Sequence, residues 1–348
     1  SDPTNVNSLL SRESGALKVL KNGEVWVASV YSGVSVIGAD RKTITRHIDK
    51  GAEGNIIGGK INTIFQSSEG RIYVSSSKGT SVFEGNTFKN TLYNQTLKNS
   101  QVSDVNVFFE DKQGGFWVGT NTNGLFKINK DDLSVLEQYK LDPNNPKSFA
   151  SSTVYDILET KEGALLFGTG GEGLFIYNGN ENNFNRLTYK DGLPSNTVVS
   201  LIEDKQGDVW AGTRNGSSKI NIKSGQIQNY NISDGLTDRA LSVRASAAGN
   251  YGKIYFGGPG GVSYTDPLSI AINQVPPKLS IVEVTSIDGL NNRVKVGFAT
   301  DSIKVYHNTQ TLEIGFVGLS FIKSEKNQYK YFLENYNNTW VDNGTNKK

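Results

Sequence analysis

The chain has 348 residues, 36% hydrophobic and 10% aromatic, with 38 glycines against 8 prolines, which supplies a core and many tight turns rather than a disordered tract. Lys plus Arg (36) nearly balances Asp plus Glu (34), and a net charge of +2 gives no electrostatic case for nucleic acid or an anionic membrane surface. The absence of cysteine excludes disulfide scaffolds and thiolate metal sites, and no apolar run approaches the roughly 20 residues of a membrane span.

The opening SDPTNVNSLL lacks the basic and apolar regions of a signal peptide, so the stretch is expected to be a soluble piece. In chain order, six segments then share an aromatic strand and a Gly-rich corner: GEVWVASVYSGVSVI (23–37), GRIYVSSSKGTSVF (70–83), EDKQGGFWVGTNTNG (110–124), GALLFGTGGEGLFIY (163–177), EDKQGDVWAGTRNG (203–216) and GKIYFGGPGGVSYT (252–265). Aligned on Trp26, Tyr73, Trp117, Leu166, Trp210 and Tyr255, they recur every 47, 44, 49, 44 and 45 residues. That period, with four short alternating segments per unit and no 3.6-residue periodicity, predicts propeller blades over residues 1–275.

Within each unit an apolar alternating run (TVVSLIED, 197–204) precedes a polar turn, the aromatic strand, the corner, a third strand and a fourth. Asp111 and Asp204 are read as turn formers that accept backbone hydrogen bonds, with Gly114 and Gly207 three residues on. Trp26, Trp117 and Trp210 are expected to fill the wedge between blades. GTGGEG (168–173) joins two strands with no helix behind it, so a phosphate cradle is a poor reading.

After Pro276 and Pro277 the period stops, and SIVEVTSI (280–287), TLEIGFVGLSF (311–321) and NQYKYFLENY (327–336) predict a small β unit over 276–348. The blade pattern ED(K)QGxxWxGT…GLxxIN resembles the two-component-regulator propeller repeat. Residues 308–340 resemble the tyrosine-named (Y_Y_Y) β-sandwich module that follows such propellers in hybrid two-component sensors. The match is carried by Leu312, Ile314, Phe316, Leu319, Glu325, Lys326, Asn327, Tyr329, Lys330, Tyr331, Leu333, Glu334 and Trp340.

The resemblance implies an all-β chain: a β-propeller with six recognisable four-stranded blades, then an immunoglobulin-like β-sandwich. Such sensors carry two seven-bladed propellers, so membership of a seven-bladed or double propeller stays open. It further implies a periplasmic sensor region that detects oligosaccharides from complex glycans. That region would form a homodimer through the C-terminal module and reach the membrane only through the remainder of the protein, where the histidine kinase lies.

No catalytic residue, metal ligand or cofactor site is expected in the chain itself. Only His47 and His307 exist, with no triad, and the Asp residues of the repeat sit three before the Gly rather than two, as in the Asp box of propeller glycosidases. A glycan-active hydrolase or lyase and a protein-interaction scaffold are the alternatives. For a binding module, the corner after the second strand and the link to the next blade share one face near the axis. The ligand candidates there are Tyr31, Lys78, Asn121, Asn123, Glu172, Arg214, Asn215 and Arg239, with Arg12, Asn196 and Asp238 on further links. The basic stretch DRKTITRHIDK (40–50) is a lesser candidate for anion contact.

Overall fold

The computed structural model describes residues 5, 8–11, 13–30, 33–50, 54–89, 102, 104–270, 277–297, 303–319, 327, 329–344 and 346–347. The chain divides into two compact units, residues 1–270 and 271–348.

In the first unit each sequence repeat folds as its own antiparallel meander, five of them four-stranded and the sixth three-stranded. Blade 1 consists of Ser14–Val19, Val25–Ser29, Gly33–Ile37 and Ile44–His47. Blade 2 is Ile61–Gln66, Ile72–Ser76, Gly79–Glu84 and Thr87–Lys89, and blade 3 is Val105–Glu110, Phe116–Thr120, Leu125–Ile128 and Val135–Tyr139. Blade 4 is Val154–Glu159, Leu165–Thr169, Leu174–Asn178 and Asn183–Leu187. Blade 5 is Val198–Glu203, Val209–Thr213, Gly216–Ile220 and Ile227–Tyr230. Blade 6 is Ser246–Ala248, Ile254–Gly258 and Gly261–Thr265; among the described residues no fourth strand follows, and Ser269 N–H donates to the Asp266 carbonyl in a turn.

The first strand of each blade lies beside the first strand of the next, from blade 1 through blade 6. Each wedge between blades is closed by its own apolar cluster. Trp26 packs with Ile64 of blade 2, Tyr73 with Phe108 and Phe116 of blade 3, and Trp117 with Ile157 and Phe167 of blade 4. Leu166 meets Leu201 of blade 5, and Trp210 meets Leu241 and Phe256 of blade 6. The wedge role expected of the three tryptophans is what the structure shows, each of them buried at 1% exposure.

The polar turn after the first strand does more than set register. Asp111 accepts from the Gln113 and Gly115 N–H groups through one oxygen and from Trp117 Nε1, 2.7 Å away, through the other. Asp204 repeats this with Gln206, Asp208 and Trp210 Nε1 at 2.9 Å. A buried indole N–H needs an acceptor, so aspartate and tryptophan occur together in blades 3 and 5. Where blade 4 has Leu166, a threonine suffices: Thr160 Oγ1 accepts from Ala164 N–H.

On this turn face the blades are also laced together. In blades 2 to 5 the last residue of the first strand accepts from the preceding blade's turn: Gln66 from Lys21 N–H, Glu110 from Ser68, Glu159 from Lys112 and Glu203 from Lys161. The ammonium groups of Lys21, Lys112, Lys161 and Lys205 reach carbonyls in the next blade's turn.

In the second unit Lys278–Asp288 pairs with Arg293–Gly297 on one side and Thr309–Leu319 on the other, and Tyr329–Tyr331 pairs with Val341–Gly344. The Tyr329 hydroxyl accepts from Gly318 N–H at 3.0 Å and its ring meets Phe316 edge-on, which joins the two sheets. Pro276, Glu325 and Lys326 lie outside the described residues.

Candidate functional site

The corners and interblade links share the other end of the strands. Gly124 N–H donates to Ser152, Gly173 N–H to Asn196 and Gly216 N–H to Arg239, so each corner is pinned to the link that follows it. These glycines all have positive φ, and a side chain at Gly173 or Gly216 would strike the carbonyl of Leu187 or Tyr230.

The same repeat controls what faces the axis. In blades 1 to 5 the first strand carries a bulge near its start, where pairing with the second strand skips Gly15, Asn62, Asn106, Tyr155 and Val199 in turn. A bulged residue is released from the ladder and re-aimed. Counting back from the paired residue of each first strand, the blade 6 equivalent is Arg244, which stands in a short irregular stretch between Ser242 and Ala245, both bonded to Gly257. Arg244 has φ of 53°, a left-handed conformation that a non-glycine residue adopts only when its surroundings hold it there.

The restraint is a set of cross-axis hydrogen bonds. Arg244 N–H donates to the Val199 carbonyl of blade 5 at 2.8 Å. Its Nη1 donates to the Asn106 carbonyl of blade 3 and, at 3.5 Å, to the Asn62 carbonyl of blade 2. Asn62 and Asn106 pass the connection on, donating through Nδ2 to Val105 and Val154 of the next blade. Deep placement pulls the Arg244 pKa below the ordinary arginine range, partly offset by Asp156. Asp156, partly buried next to Tyr155, is pushed up to about 6 by desolvation, against the pull of Arg244 and of the Leu201 and Ile157 N–H groups from which it accepts.

Around this ring lies a cavity of about 540 Å³, within the ordinary range of small-ligand sites. It is lined by bulge residues Gly15, Asn62, Asn106, Tyr155 and Arg244, by Lys60, Asp104 and Val243 beside them, and by corner residues Ser77, Asn121 and Arg214. Asp104 is held by the Asn62 and Asn121 amides at 2.7 and 3.0 Å. A groove of similar volume lies on the turn face, but its Glu69, Arg71 and Glu84 are committed to ion pairs with one another, Lys130 and Lys89. The axial cavity is therefore the better candidate for a ligand site.

Two sequence candidates, Asn121 and Arg214, stand on this cavity; Arg214 Nη1 donates to the Leu241 carbonyl at 3.2 Å. Lys78, next to Ser77, and Arg239 are exposed on the same face without lining it. Asn123 shapes its corner, with its N–H on Thr120 Oγ1, and Asn215 Nδ2 donates to the Pro194 carbonyl. Glu172 is paired with Arg186. Tyr31 and Arg12 lie outside the described residues. The basic stretch is used structurally: Arg46 donates to the Ser8 carbonyl, and His47 stacks on Trp26 at 5.7 Å with its pKa lowered by burial. Sequence reasoning passed over Lys60, Asn62, Asn106, Tyr155 and Arg244. Their signal was a residue out of step with the alternation two places before the buried apolar position, in KINTIF, DVNVFF and TVYDIL.

Residues 99–122 and 192–215 match the family model described as two component regulator propeller. A histidine kinase P4 from Formosa agariphila is 25% identical over 251 residues, covering 68% of this chain and 18% of that protein. This chain thus spans less than a fifth of the curated relative. Among solved structures, one described as the extracellular domain of a hybrid two component system from B. thetaiotaomicron superposes with a TM-score of 0.63 at 19% identity. It covers 98% of this chain and 51% of that one. Virginiamycin B lyase from Staphylococcus aureus has a TM-score of 0.54 at 17% identity, covering 77% and 87%. At these identities both likenesses speak to fold alone. The chain carries two-component-regulator propeller repeats.

Proposed function

We propose that this chain, with its two-component-regulator propeller repeats, belongs to the ligand-sensing region of a periplasmic hybrid two-component sensor and binds an oligosaccharide from a complex glycan without turning it over. The observation that carries this reading is the axial ring: five of the six blades each place the residue of one shared position, Gly15, Asn62, Asn106, Tyr155 or Arg244, at a single polar cavity. Amides, a phenol and guanidinium groups suit sugar hydroxyls and ring faces.

Signal output requires that ligand favour one arrangement of the protein over another, since equal affinity for both shifts nothing. The C-terminal unit passes that preference on, in a homodimer, toward a membrane-anchored kinase outside this sequence. A calorimetric screen of neutral and acidic oligosaccharides, with chromatography of each mixture afterwards, tests the proposal. It predicts saturable binding with the saccharide recovered intact. Shortened or unsaturated products would establish the hydrolase or lyase reading instead, and silence across the panel would favour an interaction scaffold.

A further inference from the structure

We infer that the axial cavity is selective for a sugar bearing an anionic group, a carboxylate or a sulfate, with Arg244 at its base and Arg214 and Lys60 at its wall as the recognising cations. This rests on the sensing reading above and narrows it to a ligand class. The argument is one of charge left over. Three cations line the cavity and one carboxylate, Asp104, whose oxygens are already held by the Asn62 and Asn121 amides.

Arg244 spends Nη1 on two neutral carbonyls, and among the described residues its Nε and Nη2 have no hydrogen-bond partner. A guanidinium is a fork with five donors, matched in spacing by two oxygens of a carboxylate or sulfate. Asp156 does not complete it: each of its oxygens accepts a backbone N–H, and among the described residues no ion pair joins it to Arg244. The surplus reaches Lys18, whose pKa is lowered first by burial and then by the Arg244 charge. A neutral sugar would fill the cavity and leave that positive field standing; an anion discharges it.

The test uses the whole 348-residue chain. Calorimetric titrations with a tetragalacturonate, a sulfated galactan tetrasaccharide and neutral xylotetraose compare carboxylate, sulfate and no charge, at low and moderate salt. One anionic probe is expected to bind about 10-fold or more tighter than xylotetraose, and more weakly as salt rises. Arg214→Gln and Lys60→Gln, both at the cavity wall, should each weaken it about 5-fold at unchanged melting temperature, and Arg244→Gln more.

Whichever anionic probe wins identifies the group. Xylotetraose binding as tightly as the anions would overturn the charge selectivity and leave the sensing reading standing. Anion binding indifferent to all three variants would overturn this location. Failure of every probe, neutral included, would take the sensing reading down as well.

Discussion

At the scale of single residues, two aspartates, buried Asp204 and partly buried Asp156, do opposite things to stability. Asp204 is a favourable anchor, because its two oxygens satisfy the Trp210 indole and two turn N–H groups. Asp204→Ala strands those donors in the wedge and should cost about 3 kcal/mol in urea unfolding, whereas the same change at exposed Asp131 should cost under about 0.5 kcal/mol. Asp156 is a liability at neutral pH. Its pKa is raised to about 6 in the fold from the ordinary 3.8 of an aspartate, so between those values the folded state holds a proton the unfolded chain has released, and stability falls as pH rises. Above pH 6 the full cost is roughly 3 kcal/mol. Stability measured at pH 4.5 and pH 7 should show about 2 kcal/mol of this loss in the native chain and a much smaller one in Asp156→Asn; equal slopes would remove the assignment. The turn role of these Asp residues was legible in the sequence, since the DKQG spacing requires it. The indole bond was not, because only the fold shows that both groups are buried together.

At the scale of the element, the blade is the unit, and its corner glycine is the position least able to change. Gly216 combines φ of 97° with a Tyr230 carbonyl where a Cβ would go. Gly216→Ala should therefore cost about 2 kcal/mol or more by denaturant titration, while Gly225→Ala, at φ of 71° in open space, should cost only about 1 kcal/mol. Repeat period, strand order and wedge residues were all readable from the aromatic and glycine positions. The axial residues were harder. A bulge consumes one extra residue, so strict alternation assigns Asn62, Asn106 and Tyr155 to a blade face when they turn to the axis. The bulge position becomes visible only when the six repeats are aligned on the buried residue that follows it.

At the scale of the whole propeller unit, five apolar wedges join six blades, and the outer faces of the first and last blades remain uncovered among the described residues. Leu17 occupies in blade 1 the position of Ile64, Phe108, Ile157 and Leu201; it is 61% exposed where Ile64 is 3% exposed. On blade 6, Tyr264 is 63% exposed. Leu17→Ser should accordingly change the stability of this chain by less than about 0.5 kcal/mol and Ile64→Ser reduce it by about 3 kcal/mol, a contrast that unfolding titrations can read. Arg244 works at this scale too, because its hydrogen bonds tie blade 6 to blades 2, 3 and 5 across the axis. A ligand at that point would touch residues from most of the ring at once. Amide hydrogen exchange with and without a saturating oligosaccharide probes this most directly. Protection should concentrate at residues 60–62, 104–106, 155, 214 and 243–244 while the turn face exchanges as before. Protection confined to the turn face, or to residues 277–347, would contradict an axial binding site.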